Sequence, residues 1–373
     1  MSFETKITNA WQKKAAWLWL LLPLSWLYGA IIWLRRKLYQ LGILTSYRAP
    51  VPVMVIGNIT VGGSGKTPLI MSLVQFLQKK QVKVGVISRG YGGDINKMPA
   101  LVSTQSLPSE VGDEPCLIAA ITGAPIAVCP NRQQAIEMLL TNFPDIQLII
   151  ADDGLQHFAL ARDIEWIVVD AARGFGNKQL LPTGFLREPL SRLQDATVIY
   201  HETPDVQADN TAKINNKLVM TLVPDKVSPL ISLDKVQDLA LKTQLLQRQL
   251  TTPKSGDTVH AVSGIGYPKR FFETLAALGF NVIEHPFPDH HDFSLSDLQH
   301  YQNHPIIVTS KDAVKIRVLL LKALQADKNE SKKLVEILAL IDQLWELPVT
   351  AKLSPNCYDK LQKELSKFSI HLN

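Results

Sequence analysis

The stretch VMVIGNITVGGSGKTPLI, Val53 to Ile70, constrains the fold more than any other part of the chain. A hydrophobic run, a glycine-rich turn ending in Lys66 and Thr67, and a helical pattern follow one another as strand, loop and helix, the context of a phosphate-binding loop. Its glycines let backbone N–H groups turn toward phosphate oxygens, and the helix N-terminus adds partial positive charge. Lys66 is expected to reach the β- and γ-phosphates of ATP, and Thr67 to ligate Mg2+. Thr60, Val61, Gly62, Gly63, Ser64 and Gly65 complete the expected nucleotide site. One position departs from the common GxxxxGK[ST] spacing: Thr60 stands where the first glycine belongs. Gly57 lies three residues earlier, and Gly62 and Gly63 supply the tight turn, so a nucleotide site is still expected.

The surrounding pattern is α/β. VPVMVIGN, VKVGVISRG, PIAVCP, IQLIIADDG and IEWIVVDAA read as strands, apolar on both faces and alternating with helices such as KTPLIMSLVQFLQKK, a segment from Asp113 to Ile121, and NRQQAIEMLL. Such strands predict a P-loop NTPase-like parallel sheet with helices on both faces, its ligand outside the carboxyl ends of the strands. Residues 203–254 are polar and irregular, with a weak strand signal in NKLVMTLVP, and are expected to connect. A second, smaller α/β unit is expected over 255–373, from TVHAVSGIGYPKRFFETLAALGF onward. HPIIVTSKDAVK and LWELPVTAKL read as two of its strands, and QADKNESKK as a solvated insertion. The nucleotide domain is thus expected over 49–202 and a separate hydrophobic element over 1–48.

That first element, from Ala15 to Leu34, carries no charge and is long enough to cross a hydrocarbon layer about 30 Å thick. A signal peptide lacks a small-x-small cleavage site before Arg35, and export would separate the loop from its nucleotide. A spanning helix gets no orientation from the charges, since basic residues flank both ends. Trp19, Trp26 and Trp33 recur every seven residues, and Trp26 sits mid-segment, where a spanning helix seldom puts tryptophan; a helix lying in the membrane interface is favoured. Lys6, Lys13, Lys14, Arg35, Arg36, Lys37 and Arg48 precede the first strand, opposed by Glu4, and suit an anionic surface. Cys116, Cys129 and Cys357 form no CxxC or Cys/His cluster and read as buried small hydrophobes of a reduced compartment.

Beyond the loop, QLIIADDG ends a strand in acid, as an Mg2+-holding element would. Side chains alternate along a strand, so Asp152 and Asp153 can aim at one point only if the strand has ended. VGDEP places Asp113 and Glu114 at a helix start, where carboxylates favour the dipole. FPDHHDF offers Asp289, His290, His291 and Asp292; a histidine beside a carboxylate suits a base or its orienter, while metal-ligand spacing is absent. SRGYGG ends the second strand, so Arg89 is expected to project toward the site, with Tyr91 available to stack or hydrogen-bond. Arg132, Arg187 and Glu188 start helices or loops on the same rim.

Taken in order, GNITVGGSGKTP, SRGYGG, VGDEP, PNR, DDGLQH, LREP, GIGYP, FPDHHDF and TSKDAVK resemble the tetraacyldisaccharide 4'-kinases, the lipid A 4'-kinases. The resemblance implies two α/β/α units and transfer of phosphate from ATP, with Mg2+, to the 4'-hydroxyl of a tetraacylated glucosamine disaccharide 1-phosphate. It places this at the cytoplasmic side of the bacterial inner membrane, with a lipid disaccharide as partner and no nucleic acid. It also implies Asp113 as the base, His290 as its dyad partner, Lys66 at the phosphates, and Thr67 with Glu114, Asp152 or Asp153 at Mg2+. Arg89, Tyr91, Arg132, His157, Arg187 and Glu188 would line the disaccharide side. His290 is preferred to His291 because it follows Asp289. The competing reading is a membrane-associated P-loop ATPase that acts as a switch; loops of that kind, KGGxGKT, carry lysine where this chain has Val61.

Overall fold

The computed structural model describes residues 15–203, 217–231, 250–301, 303–326 and 331–372, with Ile7, Ala10, Trp11 and Lys13. Glu4, Lys6 and Lys14 of the basic N-terminus, most of the expected connecting region, and residues 327–330 of the expected insertion lie outside the described residues. The chain divides into two compact units, one of Met1–Ser106, Glu110–Val223 and Ala351–Asn373, the other of Leu107–Ser109 and Pro224–Thr350.

The first unit is built on β1 (Val53–Gly57), β2 (Val84–Ser88), β3 (Ala100–Val102), β4 (Ile126–Val128), β5 (Leu148–Asp152), β6 (Ile164–Asp170), β7 (Thr197–Glu202), β8 (Leu218–Pro224) and β14 (Val349–Leu353). They form a nine-stranded sheet in the order β14-β8-β7-β6-β1-β5-β2-β4-β3. From β8 to β4 neighbours run parallel, and β3 is antiparallel to β4. β1, β2, β4 and β5 are buried along their full length, as strands covered on both faces must be. β1 lies between β5 and β6, so the chain leaves β1 toward one edge and returns past it toward the other. That reversal opens a crevice at the carboxyl ends of β1 and β5, where the glycine loop and the Asp-Asp pair stand.

Two strands fall elsewhere than the sequence suggests. NKLVMTLVP, expected to connect, supplies β8 of this sheet. LWELPVTAKL, read as one strand of the second unit, is two: β13 (Leu344–Leu347) stays there, and β14, beyond Pro348, joins the first. The final helix, Pro355–Leu365, is fastened to the first unit by Glu364, which accepts from Trp166 Nε1 at 2.7 Å and Thr197 Oγ1 at 2.9 Å. Helical and strand periodicities identify elements, while the sheet they join depends on buried partners distant in sequence.

The hydrophobic N-terminal segment is a 3-10 turn, Ala16–Leu21, continued by an α-helix, Leu22–Gln40, with Pro23 in its first turn. One side packs on the first unit: Ser25 is buried with its hydroxyl 2.8 Å from Thr183 Oγ1, and Tyr28 donates to the Arg187 carbonyl at 3.1 Å. Trp17, Trp19, Trp26, Leu27, Ile31 and Trp33 remain exposed. Because the turn around Trp19 is 3-10, the seven-residue tryptophan spacing does not hold one strict helical phase throughout.

The second unit has a five-stranded sheet, β11 (Asn281–Pro286), β10 (Thr258–Ser263), β12 (Ile306–Thr309), β13 and β9 (Ser228–Pro229), in that order. Its neighbours are parallel except β9, which is antiparallel to β13. Helix Lys269–Ala277 connects β10 to β11, and helices Ser310–Ala326 and Ser331–Gln343 follow β12. Ile306 and Val308 of β12 pack in one core with Ile316, Leu320 and Ile341 of the last two helices.

Candidate active site

The glycine loop follows β1 and ends at Gly65, the left-handed N-cap (φ +94°) of helix Lys66–Lys79. Gly62 also has positive φ, +92°. Thr60, by contrast, sits in an antiparallel bridge to Leu186, and its buried hydroxyl accepts from Asn58 Nδ2 at 3.3 Å. An extended residue needs no glycine, which accounts for the departure from the common spacing. Val61 N–H donates to the Phe185 carbonyl at 2.8 Å, so the loop's first half is pinned to GFLREP. The second half rests on His201 of β7, whose Nδ1 lies 3.0 Å from the Ser64 carbonyl. A carbonyl only accepts, so Nδ1 carries the proton. A Cβ on Gly65 would come within 2.9 Å of that imidazole and of Met220.

β5 ends at Asp152, and Asp153 turns away with φ +45°. The strand has therefore ended between the two acids, which frees them from alternation. Asp152 is buried; Ser88 donates to Oδ2 at 3.1 Å, and Oδ1 has no hydrogen-bond partner. Burial, then the charges of Glu114 and Asp153, push its pKa up to about 7. Asp153 feels burial in the same sense, but Lys66 at 3.4 Å and Arg187 at 3.0 Å outweigh it and hold the carboxyl at about 2. Lys66 also donates to Asn58 Oδ1 at 3.2 Å. Among the described residues no group of three or more His, Cys, Asp or Glu could by itself hold a metal. Mg2+ needs no such cage, since it keeps waters and takes phosphate oxygens beside one or two carboxylates. The unpartnered Asp152 oxygen, with Glu114 and Asp153 near enough to raise its pKa, fits that demand.

Asp113 and Glu114 open helix Asp113–Thr122 behind Gly112, whose φ is +94°. Asp113 is buried and accepts from the Glu114 N–H at 3.0 Å. A Cβ on Gly112 would meet the Tyr91 carbonyl at 2.7 Å, and one on Gly93 the Glu110 carbonyl at 2.6 Å. SRGYGG and VGDEP therefore pack backbone on backbone, which leaves Arg89 and Tyr91 exposed at the edge. His157 is held neutral: burial, then Arg132, Arg162, Arg35 and Arg89, bring its pKa down to about 4.

Arg132 and Glu188 stand apart from the open rim expected for them. Arg132 is buried and donates to the carbonyls of Cys129 at 3.0 Å and Asp152 at 3.1 Å, so it braces the end of β5. Glu188 is buried, accepts from Gln156 at 2.7 Å and pairs with Arg192 at 3.2 Å. All three cysteines are buried, and burial, then Asp113, pushes Cys116 up to about 12. Asn58 and Gln156 lie inside quoted motifs but were given no role, because each acts through a neighbour, Lys66 and Glu188; His201 lies in no motif and reaches the Ser64 carbonyl from β7.

On the second unit, His290 has φ +59° and a half-buried ring. His291 is engaged within the fold, with Nε2 3.3 Å from Asp297 and its ring 4.6 Å and 4.9 Å from Phe287 and Phe293.

A sequence profile of the tetraacyldisaccharide-1-P 4'-kinases matches residues 17–366. The chain belongs to that family. The tetraacyldisaccharide 4'-kinase of Psychrobacter cryohalolentis is 61% identical over 381 residues, covering 100% of this chain and 99% of its own. That of Actinobacillus pleuropneumoniae is 42% identical over 350 residues, covering 93% and 95%. The fold is that of LpxK from Aquifex aeolicus, solved in complex with ATP: TM-score 0.65, 24% identity, 94% of this chain and 99% of that one. The tetraacyldisaccharide 4'-kinase family thus accounts for both the loop and the mixed α/β architecture, and the chain is a kinase.

Proposed function

We propose that this kinase transfers the γ-phosphate of ATP to the 4'-hydroxyl of a tetraacyl glucosamine disaccharide 1-phosphate, a step of lipid A biosynthesis. The observation that carries the site is the junction of Lys66, Asp153, Arg187 and the buried Asp152 at the carboxyl ends of β1 and β5. Phosphoryl transfer asks mainly for positioning and charge neutralisation, which this junction provides.

Gly62, Gly63, Ser64 and Gly65 cradle phosphate with their N–H groups, and Lys66 exchanges Asp153 for a phosphate oxygen. Thr67, Asp152, Asp153 and Glu114 are the residues that would hold Mg2+, which when bound neutralises charge on the β- and γ-phosphates. Asp113, buried at a helix start, takes the acceptor proton, and His290 is a further proton-transfer group. Arg89, Tyr91, Arg187 and the neutral His157 contact the disaccharide, with Arg132 and Glu188 keeping the rim in shape. The N-terminal helix lies in the cytoplasmic face of the inner membrane: its buried Ser25 and bonded Tyr28 fix one side to the enzyme, and exposed tryptophans face lipid.

Steady-state kinetics test the roles. Asp113→Ala and His290→Ala should each lower kcat by about 100-fold or more with KM for ATP little changed. Wild-type kcat in either variant would remove that residue from proton transfer.

A further inference from the structure

The TSKDAVK segment is left without a role by the phosphate loop and the acidic pair, yet it makes a buried polar cluster in the second unit. Asp312 is fully buried; its Oδ2 accepts from Thr309 Oγ1 at 2.7 Å and from Gly264 N–H at 3.0 Å, while Oδ1 is unpartnered. Gly264 in turn accepts, through its carbonyl, the N–H of His290 at 3.1 Å. A Cβ on Gly264 would come within 3.1 Å of Asp312 Oδ1, 3.2 Å of the Pro288 carbonyl and 3.3 Å of His291 Cβ. The turn carrying His290 is therefore seated on Asp312 through one glycine.

The same helix holds the ring. Lys311 Nζ lies 3.3 Å from His290 Nε2 and 3.6 Å from Asp289 Oδ1. One turn on, Lys315 donates to the His291 carbonyl at 2.7 Å, so two lysines at i and i+4 grip consecutive residues of the turn. An ammonium has protons to give and no lone pair, so His290 Nε2 must accept, and a neutral ring then carries its proton on Nδ1.

We propose that Lys311 and Asp312 are positioning residues for His290: Asp312 sets the place of the turn through Gly264, and Lys311 selects the Nδ1-protonated tautomer. This rests on the reading of His290 as a proton-transfer group. It makes the lysine's function electronic as well as steric, since the ring nitrogen that holds the proton decides which one can accept or donate during transfer.

Ring-nitrogen NMR of the full-length protein labelled with 15N-histidine tests this, with the His290 signals assigned by their loss in His290→Gln. Wild type at pH 8 should show His290 protonated on Nδ1. Lys311→Met should move the signals toward the Nε2-protonated form and lower kcat by about 10- to 100-fold at unchanged KM for ATP. Lys311→Arg, which keeps a charged donor, should recover most of both. The His260 and His285 signals, elsewhere in the same unit, report whether a variant is folded. If Lys311→Met is not, Lys311→Gln is read the same way, with a partial shift expected. An unchanged tautomer in a folded Lys311 variant overturns the proposal, as does wild-type kcat. If His290→Gln itself keeps wild-type activity, the reading of His290 fails instead, whatever the tautomer.

Discussion

Asp152 meets two opposed demands. Its carboxyl is raised to about 7 by burial and by Glu114 and Asp153, so ionising it costs the fold stability. A raised folded-state pKa means that this cost is absent below the unfolded value near 4 and grows as pH rises toward 7. Asp152→Asn should therefore stabilise the protein, by on the order of 1–2 kcal/mol at pH 8 and by nothing near pH 4, while abolishing transfer. Thermal unfolding at the two pH values checks this; equal shifts at both would mean that the carboxylate is not the burden. The acidic pair was legible in the sequence because an apolar strand ending in acid is a strong pattern. Whether both acids could serve one point was not, since that depended on the φ of +45° at Asp153. Thr60 carries the same lesson: it breaks a spacing rule but not the geometry behind it, because the positive φ values fall on Gly62 and Gly65.

At the scale of elements, the glycine loop is held by a strand that nothing in its own sequence links to it. His201 of β7 donates to the Ser64 carbonyl, so His201→Leu should raise KM for ATP by about tenfold, and His201→Asn, which keeps a donor, by less. Equal KM values for wild type and His201→Leu would show that the loop holds its shape unaided. In the second unit, His260 of β10 and His285 of β11 lie 2.9 Å apart, beside Tyr301 and His304, with Asn303 2.7 Å from the other His260 nitrogen. Burial, then His260, lowers the His285 pKa. Its neutral form is thus preferred in the fold, so the stabilisation is complete above the unfolded value of about 6.5 and fades as pH falls below it. His285→Gln should flatten the decline of Tm between pH 7 and pH 5; an unaltered slope would acquit the pair. The strands themselves were readable from apolar runs. Their membership of one sheet or the other was not, as β8 and β14 show, because strands at or next to a sheet edge carry weaker patterns and are chosen by long-range partners.

For the whole molecule, the N-terminal segment both packs on the first unit and leaves large apolar side chains exposed. Deleting it would remove the buried Ser25 and the Tyr28 bond together with the tryptophans, so exposed residues make the cleaner test. Trp26→Ser with Trp33→Ser should reduce retention on anionic vesicles several-fold without lowering Tm, if that face meets lipid. Retention equal to wild type would remove the helix from membrane binding. The sequence announced an apolar helix and a basic collar, and the structure adds which side the enzyme occupies. The central claim is that the chain is a lipid kinase, with ATP as donor and a membrane glycolipid as acceptor. The most direct measurement is transfer of labelled γ-phosphate from ATP into a bacterial lipid extract, by wild type and by Asp113→Ala. A labelled phosphoglycolipid formed by wild type and barely formed by the variant is the predicted result; label appearing solely as free phosphate, at equal rates in both, would contradict it.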